Sequence, residues 1–119
     1  MLATEIAKQK DMSPLANTLE PMAKEATTLL KALAHPSRLI ICCQLKSGEA
    51  SVGELEATLG IKQPNLSREL AKLREAGIVE TRRASKVIFY TLTDERVKIL
   101  VDTLCGIMMG DADMDEVQA

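Results

Sequence analysis

The chain has 119 residues, of which 46% are hydrophobic and only Phe89 and Tyr90 are aromatic. This length fits one domain, and a core of aliphatic side chains and methionine is typical of helices packed on helices. No run approaches the ~20 apolar residues that span a bilayer, and the N-terminus lacks the apolar segment of a signal peptide. The sequence therefore predicts a cytoplasmic protein without a membrane partner, whose three cysteines form no structural disulfide framework.

The net charge of −2 is unevenly distributed along the chain. Between Lys62 and Lys86 seven cations outnumber three anions, a net charge of +4, whereas four acidic residues lie between positions 111 and 116. A local basic patch on an acidic body can neutralise phosphates. A solvated charged face would give the same charge pattern, so a nucleic-acid partner also requires a suitable shape.

The first half of the chain predicts three helices. Apolar residues at 3- and 4-residue steps from Leu19 to Leu33 predict an amphipathic helix with Pro21 in its first turn. The pair His35-Pro36 ends this helix, because the residue before a proline is disfavoured in the α region, and His35 is expected to cap a second helix through Leu45. The run Ser51–Glu54 is a capping box that opens a short third helix.

The second half predicts a helix, a hairpin and a last helix. The fourth helix begins at Gln63-Pro64, and the β-rich runs Ile78–Arg82 and Val87–Leu92 predict a hairpin with a basic tip. Thr93 is predicted to cap the last helix, which has an apolar stripe. We expect residues 18–109 to form the domain, residues 1–17 a flexible segment or short helix, and residues 110–119 an acidic disordered tail.

The predicted fold is mainly α with a small β-hairpin, in the order ααααββα of a winged helix-turn-helix. In this motif the second of the two helices, which is the predicted fourth helix of this chain, presents polar side chains to base edges in the major groove. Amide side chains can pair with adenine and arginine with guanine, while cations on the hairpin reach phosphates or the minor groove. The predicted contacts to double-stranded DNA are Lys62, Gln63, Asn65, Ser67, Arg68, Lys72, Arg82, Arg83 and Lys86.

Two other classes of function fit the sequence less well. A winged-helix interaction module without a DNA partner stays open, although the positive charge gathers on the two elements that would touch a duplex. An enzyme such as a thiol peroxidase would need a base beside a cysteine, and no cysteine has a histidine or an acid at a useful spacing. No phosphate-binding glycine loop is present either, so we expect neither enzymatic activity nor a cofactor.

Five segments together resemble the ArsR/SmtB family of repressors, namely Lys31–Leu39, Ser51–Leu55, Gln63–Ser67, Leu73–Val79 and Phe89–Leu92. The resemblance covers residues 20–109. It implies an imperfect palindromic operator, an inducer that weakens DNA binding, and a homodimer built from the first and last helices. The dimer contacts expected on those two amphipathic helices are Leu19, Met22, Ala26, Leu30, Leu33, Val97, Leu100, Val101, Leu104 and Met108.

Members of this family sense metals, metalloids or thiol chemistry. The Asp/His ligands that zinc sensors of the family carry on the last helix are missing here, and His35 is the only histidine. The Cys-x-Cys of arsenic sensors is also missing, because the equivalent stretch, Ser51–Leu59, has no cysteine. We therefore expect no zinc site, and the three cysteines remain as the candidate sensing groups.

Cys43 lies five residues after Arg38 on the second helix. This position resembles the first cysteine of the persulfide- and redox-sensing branch of the family, the BigR/SqrR/HlyU/YgaV-like proteins. The segments Ser51–Glu56, Gly77–Arg83 and Ile88–Tyr90 are similar to that branch as well. In those proteins a polysulfide or disulfide links a cysteine of the second helix to one of the last helix. The resemblance implies that reactive sulfur species or an oxidant is the inducer.

Cys105 departs from the pattern of that branch, whose second cysteine aligns with Met109. Cys105 lies one helical turn earlier, about 5.4 Å along the axis. Disulfides tolerate Cα separations of only about 4.4–6.8 Å, so a direct bridge, a longer sulfur chain and pairing with Cys42 all stay open. With Lys46 near the second-helix cysteines and Asp102 near Cys105, we expect a second-helix cysteine to attack first.

Two alternatives to sulfur sensing also stay open. Cys42, Cys43 and Cys105 together could form a trigonal site for As(III) or Sb(III), soft ions that prefer sulfur. The cysteines could also be inert, because a buried cysteine usually acts as a small hydrophobic residue.

Overall fold

The computed structural model describes the backbone of residues 14–118 and the side chains of residues 14–110. The predicted order of elements is confirmed, with one short strand added before the third helix. The elements are α1 (Pro14–Leu33), α2 (Pro36–Lys46), β1 (Ala50–Ser51), α3 (Val52–Leu59), α4 (Asn65–Glu75), β2 (Val79–Ala84), β3 (Val87–Leu92) and α5 (Glu95–Gln118).

The chain divides into two compact units, one ending at Lys31 and the other beginning at Ala32. The described part of the first unit is helix α1, which begins at Pro14, five residues before the predicted start. Pro21 therefore lies inside the helix and not in its first turn, which corrects the prediction. Of the predicted N-terminal segment, residues 14–17 belong to α1, and residues 1–13 lie outside the described residues.

The second unit packs its helices on a three-stranded antiparallel sheet of order β1-β3-β2. Helix α2 is its central element, since it contacts α3, α4, α5 and β3. The fully buried side chains come from every one of the longer elements, and burial of such aliphatic groups is the main stabilising term. They are Ile41, Cys42, Leu55, Leu66, Leu70, Leu73, Ile78, Val79, Leu92, Val97 and Val101.

Helices α3 and α4 form the helix-turn-helix. The predicted capping box is confirmed, because the Ser51 hydroxyl accepts from the Glu54 amide and the Glu54 carboxylate accepts from the Ser51 amide. Gly60 ends α3 in the left-handed region, with φ of 70°, where a glycine carries no steric cost. Three fully buried leucines then fix α4 to the core, namely Leu66, Leu70 and Leu73.

The hairpin pairs β2 with β3 from Val79 opposite Leu92 to Ala84 opposite Val87. Its turn residues, Ser85 and Lys86, both have positive φ, 51° and 72°, as a two-residue type I′ turn requires. Because only these two residues make the turn, β2 runs to Ala84, two residues beyond the predicted end. Strand β1 was not predicted, since two residues carry no periodic signal.

The starts of two helices depend on side-chain caps. His35 caps α2 as predicted, with Nδ1 accepting from the Ser37 amide at 3.2 Å. The cap predicted for α5 is wrong, since Asp94 and not Thr93 accepts from the amides of Arg96 and Val97. The Thr93 hydroxyl instead donates to the Ile78 carbonyl.

Helix α5 carries a non-helical residue, Gly110, with φ of 81° and ψ of 160°. Of the predicted acidic tail, residues 110–118 lie within the bounds of α5, and the side chains of residues 111–119 lie outside the described ones. Among the described residues, no helix is both long enough and apolar enough to cross a membrane.

Candidate nucleic-acid interface and thiol site

The polar face of α4 presents exposed side chains at its N-terminus. All nine residues predicted to contact DNA are exposed, including those on the hairpin. The Gln63 Oε1 accepts from the Ser67 amide at 3.1 Å, and Arg68 Nη1 donates to Asn65 Oδ1 at 3.2 Å. These bonds hold polar groups in place on the surface of the helix, as base readout requires.

The hairpin, or wing, separates its cations into two kinds. Arg83 and Lys86 are exposed near the tip, whereas Arg82 donates two bonds of 2.7 Å to the Glu49 carboxylate. The Arg82 guanidinium also lies 4.6 Å from the centre of the Phe89 ring. Its hydrogen bonds hold the pKa of the Glu49 carboxyl below the ordinary value. Arg82 thus attaches the wing to the turn before β1, a contact that no local sequence signal indicates.

The two cysteines expected to sense sulfur lie side by side. The Sγ atoms of Cys43 on α2 and Cys105 on α5 are 3.4 Å apart, and both side chains are half-buried free thiols. Cys42 is fully buried, because neighbouring residues on a helix point about 100° apart. The position of Cys105 one turn before Met109 therefore still brings it beside Cys43.

Burial is the largest of three causes that together raise the pKa of the Cys43 thiol to about 11. The other two are the hydrogen bond and the charge of Cys105. The positive charge of Lys46 lowers this pKa but does not outweigh these causes. Burial, and then the charge of Cys43, raise the pKa of Cys42 to about 12. The expectation that a second-helix cysteine attacks first is therefore not supported by the electrostatics, since both keep their protons near neutral pH.

A salt bridge accompanies the thiol pair on the same two helices. Lys46 Nζ, three residues after Cys43, lies 2.9 Å from Oδ1 of Asp102, which is three residues before Cys105. The sequence predicted that the Lys46 ammonium favours thiolate formation at the second-helix cysteines. In the structure this ammonium also forms an ion pair with Asp102. Lys46 and Asp102 also line an open cleft together with Ser47, Lys98 and Ile99.

A buried carboxylate on α4 connects this helix to α2. Glu69 is 5% exposed, and its Oε1 lies 3.1 Å from Arg38 Nε while its Oε2 lies 3.7 Å from His35 Nε2. In the sequence, Glu69 is one of the three anions between Lys62 and Lys86 and has no predicted role. Its spacing from Leu66 and Leu73 was the available signal, because it falls on the inward face of α4.

The three cysteines do not form a three-ligand site. Within residues 14–110, no group of three or more His, Cys, Asp or Glu side chains is arranged to hold a metal ion.

The side chains expected at a dimer interface fall into three groups. Leu33, Val97 and Val101 are buried in the core of the second unit, while Ala26, Leu100 and Leu104 are half-buried. Leu19, Met22, Leu30 and Met108 are exposed. Helix α5 also exposes Ile99 and Ile107, which the stripe read from the sequence left out. The exposed members are therefore the ones available to a partner.

A winged helix with an exposed polar reading helix beside a basic hairpin defines a DNA-binding transcriptional regulator. Residues 35–81 match the family described as bacterial regulatory protein, arsR family. The chain belongs to this family, as its resemblance to ArsR/SmtB repressors implied. Its relatives are transcriptional regulators, which confirms that the chain is not an enzyme.

Three relatives illustrate the similarity. The biofilm growth-associated repressor of Agrobacterium fabrum is 54% identical over 89 residues, which cover 75% of this chain and 76% of that protein. The crystal structure of the transcriptional repressor BigR from Xylella fastidiosa has 52% identity and a TM-score of 0.74, covering 77% and 94% of the two chains. The structure titled reduced HlyU from Vibrio cholerae has 40% identity and a TM-score of 0.73, covering 77% and 97%.

Proposed function

We propose that this regulator is a cytoplasmic repressor that binds an imperfect palindromic operator as a homodimer and releases it when Cys43 and Cys105 become linked. The observation that carries the proposal is the 3.4 Å separation of the two sulfur atoms. Two of the similar proteins are named repressors, and a third has a structure titled reduced, which suits a regulator whose state depends on thiol oxidation.

The inducer in this proposal is an oxidised sulfur compound, such as an organic disulfide or a polysulfide. The Cys105 thiolate attacks one sulfur of the inducer and displaces a thiolate. The Cys43 thiol then gives up its proton and attacks Cys105 Sγ, which displaces the second thiolate. The two cysteines lose two protons and two electrons in total, and the S–S bond of the inducer is reduced. With a polysulfide, Cys43 instead attacks the transferred sulfur bonded to Cys105 Sγ and displaces the rest of the sulfur chain as an anion, which leaves one extra sulfur between the two cysteines.

We assign the first attack to Cys105 because the Cys43 thiol keeps its proton near neutral pH. Its pKa is raised to about 11, partly by the hydrogen bond to Cys105. Cys43 then acts as the resolving thiol.

Linkage changes the geometry of α2. An S–S bond is about 2.05 Å long, so the sulfur atoms must approach each other from 3.4 Å. Helix α2 also contacts α4, which means that a displacement of α2 bears on the reading helix. A link that is compatible with only one of two arrangements changes DNA affinity by a typical coupling of about 1–3 kcal/mol.

The homodimer is proposed from exposed apolar side chains. On α5, Ile107 and Met108 are 71% and 75% exposed, and α1, considered by itself, exposes Leu19, Met22 and Leu30. Contiguous exposed apolar surface is uncommon on monomers and typical of protein interfaces. A twofold dimer also matches the two half-sites of a palindromic operator.

The test is the intact mass of the reduced protein after separate exposure to polysulfide, organic disulfide, peroxide and arsenite. The proposal predicts loss of two hydrogen atoms with disulfide or peroxide, and the same loss plus a gain of sulfur with polysulfide. Peptide mapping should place the link between Cys43 and Cys105, and Cys42→Ser should react in the same way. An arsenite adduct that requires all three cysteines, or no reaction with any oxidant, would contradict it.

A further inference from the structure

Helix α4 carries one charged side chain on its buried face. Glu69 lies between Leu66 and Leu73, which are fully buried, and is itself only 5% exposed. A buried carboxylate is costly unless a partner compensates its charge, so such groups seldom occur without a structural or functional reason. The DNA-contacting side chains of α4 do not include Glu69, which points inward.

The partners of Glu69 all belong to α2 or its cap. Arg38 Nε forms an ion pair with Oε1 at 3.1 Å, although the two atoms do not meet hydrogen-bond geometry, and the capping residue His35 places Nε2 3.7 Å from Oε2. The other side of the Arg38 guanidinium donates to the Ala32 carbonyl at 2.8 Å. One arginine thus contacts both Glu69 of α4 and the Ala32 carbonyl, two groups of the second unit, which fixes the direction of its guanidinium.

The same helix holds the proposed sulfur switch. Arg38 and Cys43 are five residues apart on α2, about 7.5 Å along the helix axis. In the proposed switch α2 shifts as one element, so the displacement that brings Cys43 Sγ closer to Cys105 also moves Arg38. Because Glu69 is only 5% exposed, loss of Arg38 as its partner would leave a nearly buried charge uncompensated, so Glu69 is expected to follow Arg38.

We infer that Glu69 is a positioning residue that couples α2 to the DNA-reading helix through Arg38. This inference rests on the proposed function, since it names the contact by which linkage of Cys43 to Cys105 reaches α4. Glu69 sets the orientation of α4 relative to α2 and does not itself contact DNA.

The test compares operator affinity of the reduced and the Cys43–Cys105-linked protein in wild type and in Glu69→Gln. In wild type the ratio of the two affinities should fall in the range of about 5- to 150-fold that is typical of coupled sites. Glu69→Gln keeps the shape of the side chain but loses its charge, so the link should form as judged by mass while the ratio falls close to one. The control is Glu75→Gln, an exposed residue of the same helix, which should keep the wild-type ratio.

A purely structural role for Glu69 predicts a different result. It would lower stability and weaken both affinities in parallel, which leaves the ratio unchanged and overturns the inference. Arg38→Lys provides a second variant in case Glu69→Gln does not fold, because lysine keeps the charge but cannot bond Glu69 and Ala32 together; its ratio should also fall. If wild type itself shows linkage by mass but no change in affinity, the proposed switch fails and the coupling with it.

Discussion

The reactivity of Cys43 depends on its neighbours more than on its own chemistry. Burial and Cys105 raise its pKa to about 11, while Lys46 acts in the opposite direction. Only the thiolate is nucleophilic, so a raised pKa protects Cys43 from oxidants near neutral pH. In the proposed mechanism, Cys43 therefore stays protonated until Cys105 has reacted.

Removal of Cys105 should make Cys43 more reactive. Cys105→Ala takes away the hydrogen bond and the charge that raise the pKa of Cys43, so its thiolate should form at lower pH. We expect the midpoint of the pH–rate profile for alkylation by iodoacetamide to move below about 11. Adding Lys46→Met should move it up again, because the charge that lowers this pKa is lost. Lys98→Met is the control, since Lys98 bonds Glu95; an unmoved midpoint in Cys105→Ala would refute the account.

The wing cations should differ in their contribution to DNA affinity. Arg83→Gln and Lys86→Gln should each flatten the slope of log affinity against log salt by about 0.9, as expected for one phosphate contact. Arg82→Gln should flatten it less, because Glu49 already accepts two hydrogen bonds from Arg82. The measurement is a salt titration on random duplex DNA. Equal flattening by all three variants would place Arg82 at the phosphates instead.

At the scale of elements, local signals in the sequence predicted most of the fold. The capping box at Ser51, the proline starts and the leucine stripe of α4 depend on residues within one or two turns, so sequence alone reveals them. Strand β1 is too short for any pattern, and Asp94 and Thr93 are both good caps in sequence. Their difference in role comes from the Ile78 carbonyl, which the fold places beside Thr93.

The site was less predictable, because its contacts join distant parts of the chain. Cys43 and Cys105 are 62 residues apart, and only the family resemblance paired them. The pairs Arg82–Glu49 and Arg38–Glu69 are closer in sequence, 33 and 31 residues apart, but also have no local signature. The sequence predicted separate effects of Lys46 and Asp102 on their neighbouring cysteines, whereas in the structure the two side chains form a salt bridge with each other.

The reading helix should determine operator choice. Alanine at Asn65, Ser67 or Arg68 should cost about 1–3 kcal/mol in affinity for the operator, with a much smaller loss for random DNA. Asn65 and Arg68 bond each other, so the double variant should lose less than the sum of the single losses. Competition binding on the two DNAs measures both effects. Parallel losses on operator and random DNA would show that α4 does not read bases.

At the scale of the whole molecule, the chain is acidic overall, but seven of its 15 lysine and arginine residues lie in the segment 62–86 that contains α4 and the wing. This separation lets an acidic protein approach a phosphate backbone with one face. The proposed twofold dimer would carry two such faces, so we expect loss of dimerisation through α5 to weaken operator binding.

A charge on the exposed face of α5 should break the dimer. Met108→Glu places a carboxylate at a side chain that is 75% exposed, so the fold should survive while an apolar interface would not tolerate the charge. Sedimentation should show a folded monomer, with circular dichroism like that of wild type. Val87→Glu, at an exposed apolar residue on the wing, should remain dimeric. A dimer that persists in Met108→Glu would move the interface away from this part of α5.

The most direct test of the proposed Cys43–Cys105 switch measures operator affinity before and after polysulfide treatment. It compares wild type with single serine variants of the three cysteines. Wild type and Cys42→Ser should lose affinity by a typical factor of about 5–150 on treatment. Cys43→Ser and Cys105→Ser should bind the operator as the reduced protein does and should not respond. A double Cys43/Cys105 variant that still releases the operator after polysulfide treatment would contradict the proposed switch.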